Sequence, residues 1–158
     1  MYGNGQTRRA AHAINPHPAM VLLIDDDPAV RGLLAALLNR DGLPSEAAAD
    51  GAEAISRLRR NDYDAIILDL MLPELNGFEV LRFLKAERPH LLSRVVVITA
   101  ATESTLRDFH DGTLVSALLR KPFDIGELSD AVRRCLRRAT SAPTAGETPP
   151  PTARHPSH

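Results

Sequence analysis

Three aspartates, one threonine and one lysine carry the chemistry this chain could do, and each stands where an apolar run stops. Val21-Leu22-Leu23-Ile24 runs into Asp25-Asp26-Asp27, and Ala65-Ile66-Ile67-Leu68 into Asp69. Val95-Val96-Val97-Ile98 runs into Thr99-Ala100, and Leu118-Leu119-Arg120 delivers Lys121-Pro122-Phe123. A charge at the end of an apolar strand is costly without compensation, so Asp69 in particular needs a reason. Held close together, Asp25, Asp26 and Asp69 repel, and at least one would take up a proton unless a cation balances them. A hard divalent ion with oxygen ligands answers that need. Mg²⁺ fits best, because it uses few carboxylates, keeps several waters and shares a phosphate oxygen readily. Asp69 is then a nucleophile towards phosphorus, forming an acyl phosphate. Lys121 supplies a second positive charge, Thr99 a hydroxyl, and Ala100 a backbone N–H left open by its small side chain. Asp27, followed by Pro28, reads instead as a helix N-cap.

For these residues to meet, the runs must be neighbouring parallel strands, because ligands collect at the carboxyl ends of such strands. The rest of the chain supplies what a parallel sheet requires, with short apolar runs alternating with amphipathic helices from Met20 onward. Val30, Leu33, Leu34, Leu37 and Leu38 recur at helical spacing and Gly42 closes that helix. Pro44–Ala49 has no β-branched residue and is placed as an edge strand. Asp50 and Glu53 form a capping box ahead of a helix with Ala52, Ile55 and Leu58 inward. The strand over 65–69 leads through Pro73 and Gly77 to a helix bearing Phe78, Val80, Leu81 and Leu84. A strand over 94–99 precedes a short helix capped by Thr102, with Leu106 and Phe109 on one side and Gly112 at its end. The last strand spans about 115–120. A second capping box, Asp124 and Glu127, opens a helix with a stripe of Ile125, Leu128, Val132, Cys135 and Leu136. Arg133, Arg134, Arg137 and Arg138 near its end suit the macrodipole and read as a solvated basic face.

Composition bounds the answer. The chain has 158 residues, is 44% hydrophobic and 25% charged, and carries a formal charge of −1, which fits one globular domain with no global pull towards nucleic acid or a membrane surface. Cys135 is the only cysteine, so an intramolecular disulfide or a cysteine-based zinc site is excluded. No run approaches the ~18 apolar residues of a membrane span, and no apolar segment follows Arg8-Arg9, so a secretory signal is not expected and a cytoplasmic location is. Residues 1–19 read as a disordered leader. Residues 140–158, with five of the twelve prolines and no Leu, Ile, Val or Phe, read as a disordered Pro-rich tail.

Leu22-Leu23-Ile24-Asp25-Asp26-Asp27-Pro28, Leu68-Asp69-Leu70-Met71-Leu72-Pro73 with Asn76-Gly77, Thr99-Ala100 and Lys121-Pro122-Phe123 together closely resemble the receiver domain of two-component response regulators, of the single-domain, chemotaxis-regulator-like type. The resemblance covers residues 20–139. It implies an α/β fold: a doubly wound, flavodoxin-like, five-stranded parallel sheet of order 2-1-3-4-5 with helices on both faces. It implies that Asp69 accepts phosphate from a sensor histidine kinase, a histidine phosphotransfer protein or a small phosphodonor. Mg²⁺ would be bound by Asp26, Asp69 and the Met71 backbone carbonyl, with Asp25 assisting through water. A cis peptide at Lys121-Pro122 and a homodimer through the face of the fourth helix, fifth strand and fifth helix also belong to the resemblance. Two places depart from it. Leu118 stands where receivers often carry Tyr or Phe, and Leu114-Val115 replace the usual Gly-Ala, so coupling of Thr99 to a rotating aromatic is expected to be absent.

Three functions compete for these residues. The leading one is a non-enzymatic phosphoacceptor that signals by docking to an unidentified protein partner, with no direct nucleic-acid binding and no membrane. The alternative is a receiver-fold scaffold or dimerisation module acting without regular phosphorylation. A Mg²⁺-dependent phosphatase is disfavoured, because such enzymes carry a second acid two residues after the nucleophile and Met71 stands there.

Overall fold

The computed structural model describes residues 18–107 and 114–141. Phe109, Gly112, nearly all of the leader and the tail from residue 142 lie outside the described residues. Five strands, β1 (Val21–Ile24), β2 (Ser45–Ala48), β3 (Ala65–Asp69), β4 (Val95–Thr99) and β5 (Ala117–Arg120), form one parallel sheet in the order β2-β1-β3-β4-β5. Five helices connect or follow them: α1 (Pro28–Arg40), α2 (Gly51–Arg60), α3 (Gly77–Glu87), α4 (Glu103–Arg107) and α5 (Ile125–Ser141).

Continuous apolar strands follow from a sheet covered on both faces. Side chains alternate along each strand, so one layer takes Leu22, Ile24, Ile66, Leu68, Val95 and Val97 against α2 and α3. The other takes Val21, Leu23, Ile67, Val96 and Ile98 against α1 and α5. Truncating any one of these to alanine costs about 2–5 kcal/mol by lost burial and the cavity left behind.

Edge strand β2, poor in β-formers, is held by its surroundings. It pairs in register with β1, Val21 opposite Ser45 through Ile24 opposite Ala48. Glu46 accepts hydrogen bonds from Arg57 Nη1 at 3.1 Å and from the buried Tyr63 hydroxyl at 2.5 Å.

Local signals resolve mostly as expected. Asp27 caps α1 by accepting from the Ala29 N–H at 2.8 Å, Pro28 is its first residue, and Gly42 follows the helix at φ 74°. Two expected capping boxes are only half formed. Asp50 accepts from the Glu53 N–H, but the Glu53 carboxylate reaches back one residue further, to the Ala49 N–H. Asp124 accepts from the Glu127 N–H alone. The reciprocal box is at Asn76 and Glu79, an unexploited N-x-x-E pattern opening α3.

Several positions depart from the sequence reading. Ala52, Leu33 and Ile125 face solvent instead of the core, because each lies at the border of its helix's apolar stripe. Phe83, unmarked beforehand, is buried instead. Strand β4 begins one residue later than expected because Arg94 ends a 3₁₀ segment, Pro89–Arg94. Strand β5 begins at Ala117, and α5 runs on to Ser141.

Candidate functional site

The site forms at the carboxyl edge of the sheet because register carries every strand end there. Asp69 pairs with Ile98 and Thr99 with Arg120, while Ile24, next to Asp25, pairs with Leu68, next to Asp69. One side-chain oxygen from each of Asp25, Asp26 and Asp69 lies within 4.8 Å of the others. Asp25 is fully buried and Asp69 nearly so, whereas Asp26 opens to solvent.

Lys121, arriving from β5, spans the two buried acids. Its ammonium donates to Asp25 Oδ2 and to Asp69 Oδ2, both at 2.9 Å. The peptide that follows it, Lys121-Pro122, is cis. The other oxygens of both acids are held by backbone amides: Asp25 Oδ1 accepts from the Asp27 N–H and Asp69 Oδ1 from the Met71 N–H, each at 2.9 Å. Burial pushes the Asp69 carboxyl above its ordinary range; the Met71 amide and Lys121 pull it back in part, and the Asp25 charge adds to the rise. Burial alone would lower Lys121, but its hydrogen bonds to Asp25 and Asp69 outweigh that and raise it. The pair therefore shares one electrostatic problem: too much negative charge in a place short of water.

Hard oxygen donors on three converging carboxylates, two of them buried, are a donor set that suits a small divalent cation. Thr99 closes β4 with no exposed surface, its Oγ1 accepting from the Ala101 N–H at 3.0 Å. Ala100 is exposed next to it. Met71 is turned outward, 53% exposed, and its amide is the part committed to Asp69. Asp25, Asp26, Asp69 and Lys121 are brought into one cluster, while Thr99 ends β4, the strand beside that of Asp69, and Ala100 follows it.

One contributor was not foreseen. Arg31, in the first turns of α1, donates from Nη1 to the Asp25 backbone carbonyl at 2.7 Å and so ties down the loop that presents both Asp25 and Asp26. Its signal in the sequence was an arginine one to two turns into the helix that the acid triplet caps. Leu118 lies on β5 at 41% exposure, opposite Val97 in register, with an aliphatic side chain at the position read as a departure.

Comparison with known proteins agrees with this geometry. A family described as response regulator receiver domain matches residues 21–133. Response regulator MprA of Mycolicibacterium vanbaalenii is 37% identical over 131 residues, spanning 83% of this chain and 56% of that protein. Transcriptional regulatory protein TcrA of Mycobacterium tuberculosis is 35% identical over 118 residues, 75% of this chain and 46% of that one. The chain thus spans about half the length of the curated relatives it matches. Among solved structures, the receiver domain of sensor histidine kinase PA1611 from Pseudomonas aeruginosa, which has a magnesium ion in its active-site cleft, superposes with a TM-score of 0.65 at 28% identity, over 80% of this chain and all of that one. With the sheet order, the acid cluster and the family match in agreement, the chain belongs to the response regulator receiver family of two-component signalling.

Proposed function

We propose that Asp69 is the phosphoacceptor of this receiver and that its phosphorylation, with Mg²⁺ present, changes what the domain binds. The observation that carries the reading is Lys121 bridging Asp25 and Asp69, with a third acid's oxygen within 4.8 Å. In the step proposed, an Asp69 carboxylate oxygen attacks phosphorus. The phosphorus–nitrogen bond of a phosphohistidine breaks, and the imidazole leaves with a proton. Asp26, Asp69 and the Met71 backbone carbonyl are the proposed metal ligands, with Asp25 acting through water. The ion would offset the charge of the phosphoryl oxygens. Lys121, the Thr99 hydroxyl and the Ala100 N–H would then receive those oxygens. The donor is a sensor histidine kinase or histidine phosphotransfer protein. The output is a changed protein partner, and a homodimer is one form it could take.

The domain signals and does not turn over outside substrates. Incubation with acetyl phosphate and Mg²⁺, followed by intact-mass measurement, should show one phosphoryl addition that Asp69→Asn abolishes. A mass gain that persists in Asp69→Asn would refute the assignment.

Leu118 favours a second reading, a receiver-fold scaffold that acts without regular phosphorylation, because an aliphatic side chain stands exposed on β5 where an aromatic reporter would. Partner binding unchanged in Asp69→Ala would select it.

A further inference from the structure

The loop between Asp69 and Gly77 is confined at both ends and in its middle. Gly77, the first residue of α3, donates its N–H to the Leu70 carbonyl at 3.0 Å. A Cβ at position 77 would stand 2.5 Å from the Asp69 carbonyl oxygen and 2.5 Å from Leu70 Cα, so α3 begins directly against the backbone of the acceptor. Leu72 is buried and Pro73 has a restricted φ, while Glu74 adopts a left-handed φ of 60°. Leu75 then lies across Gly51, the first residue of α2, which comes from a different βα unit. A Cβ on Gly51 would overlap both the Leu75 carbonyl oxygen and Leu75 Cδ2, and sit 3.2 Å from its carbonyl carbon.

Gly51 is not among the residues with positive φ, so glycine is needed there for space, not for conformation. The seat itself is firm. Asp50 caps α2 through the Glu53 N–H, and the Glu53 carboxylate holds the Ala49 N–H at 3.1 Å. Any side chain at 51 must therefore push the loop, and backbone is the atom it meets first. A push on Leu75 has two exits. One leads through Gly77 onto the Asp69 carbonyl. The other runs back along the loop to its start, where the Met71 amide fixes Asp69 Oδ1 at 2.9 Å and any displacement that arrives there would be felt.

We propose that Gly51 is a positioning residue for phosphoryl acceptance: its missing side chain lets the loop after Asp69 seat on α2, and that seat sets the geometry of Asp69 and Met71. This rests on the reading of Asp69 as acceptor. A displacement on the order of 1 Å at a reacting group is enough to cost orders of magnitude in rate.

The test uses the full chain, with Mg²⁺ titrated calorimetrically and acetyl phosphate labelling followed by intact mass. Gly51→Ala should slow Asp69 labelling about tenfold at saturating Mg²⁺ and weaken Mg²⁺ binding several-fold, in protein shown to be folded at the assay temperature. Gly32→Ala, where nothing lies within 4 Å of the added carbon, should leave both unchanged. If Gly51→Ala does not fold, Leu75→Ala takes its place, since loss of the seated side chain should also slow labelling. A folded Gly51→Ala, or Leu75→Ala in its stead, that melts earlier but labels at the wild-type rate overturns the inference and makes the contact purely structural. Wild-type protein that shows no Asp69-dependent mass gain refutes the acceptor reading instead.

Discussion

Lys121 Nζ lies 2.9 Å from Asp69 Oδ2 although 52 positions separate the two residues, and it keeps the same distance from Asp25 Oδ2. The lysine thus already sits as a cation among buried acids. Replacing it with methionine should leave two buried carboxylates uncompensated and cost about 1–3 kcal/mol at neutral pH without metal. Mg²⁺ binding should persist or tighten, since one repelling charge has gone, while the phosphorylation-dependent change in partner binding should be lost. Calorimetric titration of Lys121→Met against wild type decides this; a large loss of Mg²⁺ affinity would contradict it.

Asp69→Asn should stabilise the metal-free protein. The Asp69 carboxyl is raised in the fold, chiefly by burial, so the folded state holds its proton more tightly than the unfolded chain. Stability contributed by this group is therefore present at low pH and declines as pH rises from the ordinary carboxylate range through the raised folded value. Asparagine keeps the shape and lacks the charge. In EDTA at pH 7 its melting temperature should exceed wild type by a few degrees, about 1 kcal/mol, and the gap should close in acid. Equal melting curves across pH 4–8 would count against the electrostatic account.

Glu74→Gly should also stabilise. A φ of 60° costs a non-glycine residue roughly 1 kcal/mol, partly offset by the greater freedom of an unfolded glycine. Urea unfolding should show a gain of about 0.5 kcal/mol, a figure within reach of paired measurements. A loss would mean that the Glu74 side chain holds the loop.

Tyr63→Phe should loosen the edge of the sheet without touching Asp69. The phenol is buried and donates to Glu46, so removing it costs about 1 kcal/mol. Amide exchange at Ser45–Ala48 should quicken while acetyl phosphate labelling stays unchanged. Burial, with the Glu46 bond, raises the phenol above its ordinary value, so wild type loses stability as pH climbs past about 10, where the unfolded phenol ionises first. The variant should lack that share of the alkaline decline.

Most of this site was legible because a parallel strand announces itself twice, by an apolar run and by what ends it. Asp25, Asp69, Thr99 and Lys121 needed only the assumption of adjacency, and register supplied it. Strand β2 was legible as an edge but not as to its cause, since Glu46 draws its partners from Arg57 and Tyr63 far along the chain. Helix borders erred where a single residue decides, as at Ala52 and Ile125, because periodicity marks a stripe's centre better than its margin. Arg31 and Gly51 were missed for a shared reason: their effect falls on a backbone atom of another segment, which residue type and position hint at but do not specify.

The division of β1, β3 and β4 between two separate cores has a consequence for accuracy. Val97 and Ile98 answer to opposite layers, as do Ile67 and Leu68, so a slip by one position would send every side chain of a strand into the wrong layer, where the close packing no longer interlocks. The packing therefore acts as a vernier for the rim: the same error that would move a carboxylate out of line is rejected by the oil beneath it, before any ion or phosphate arrives to read the alignment.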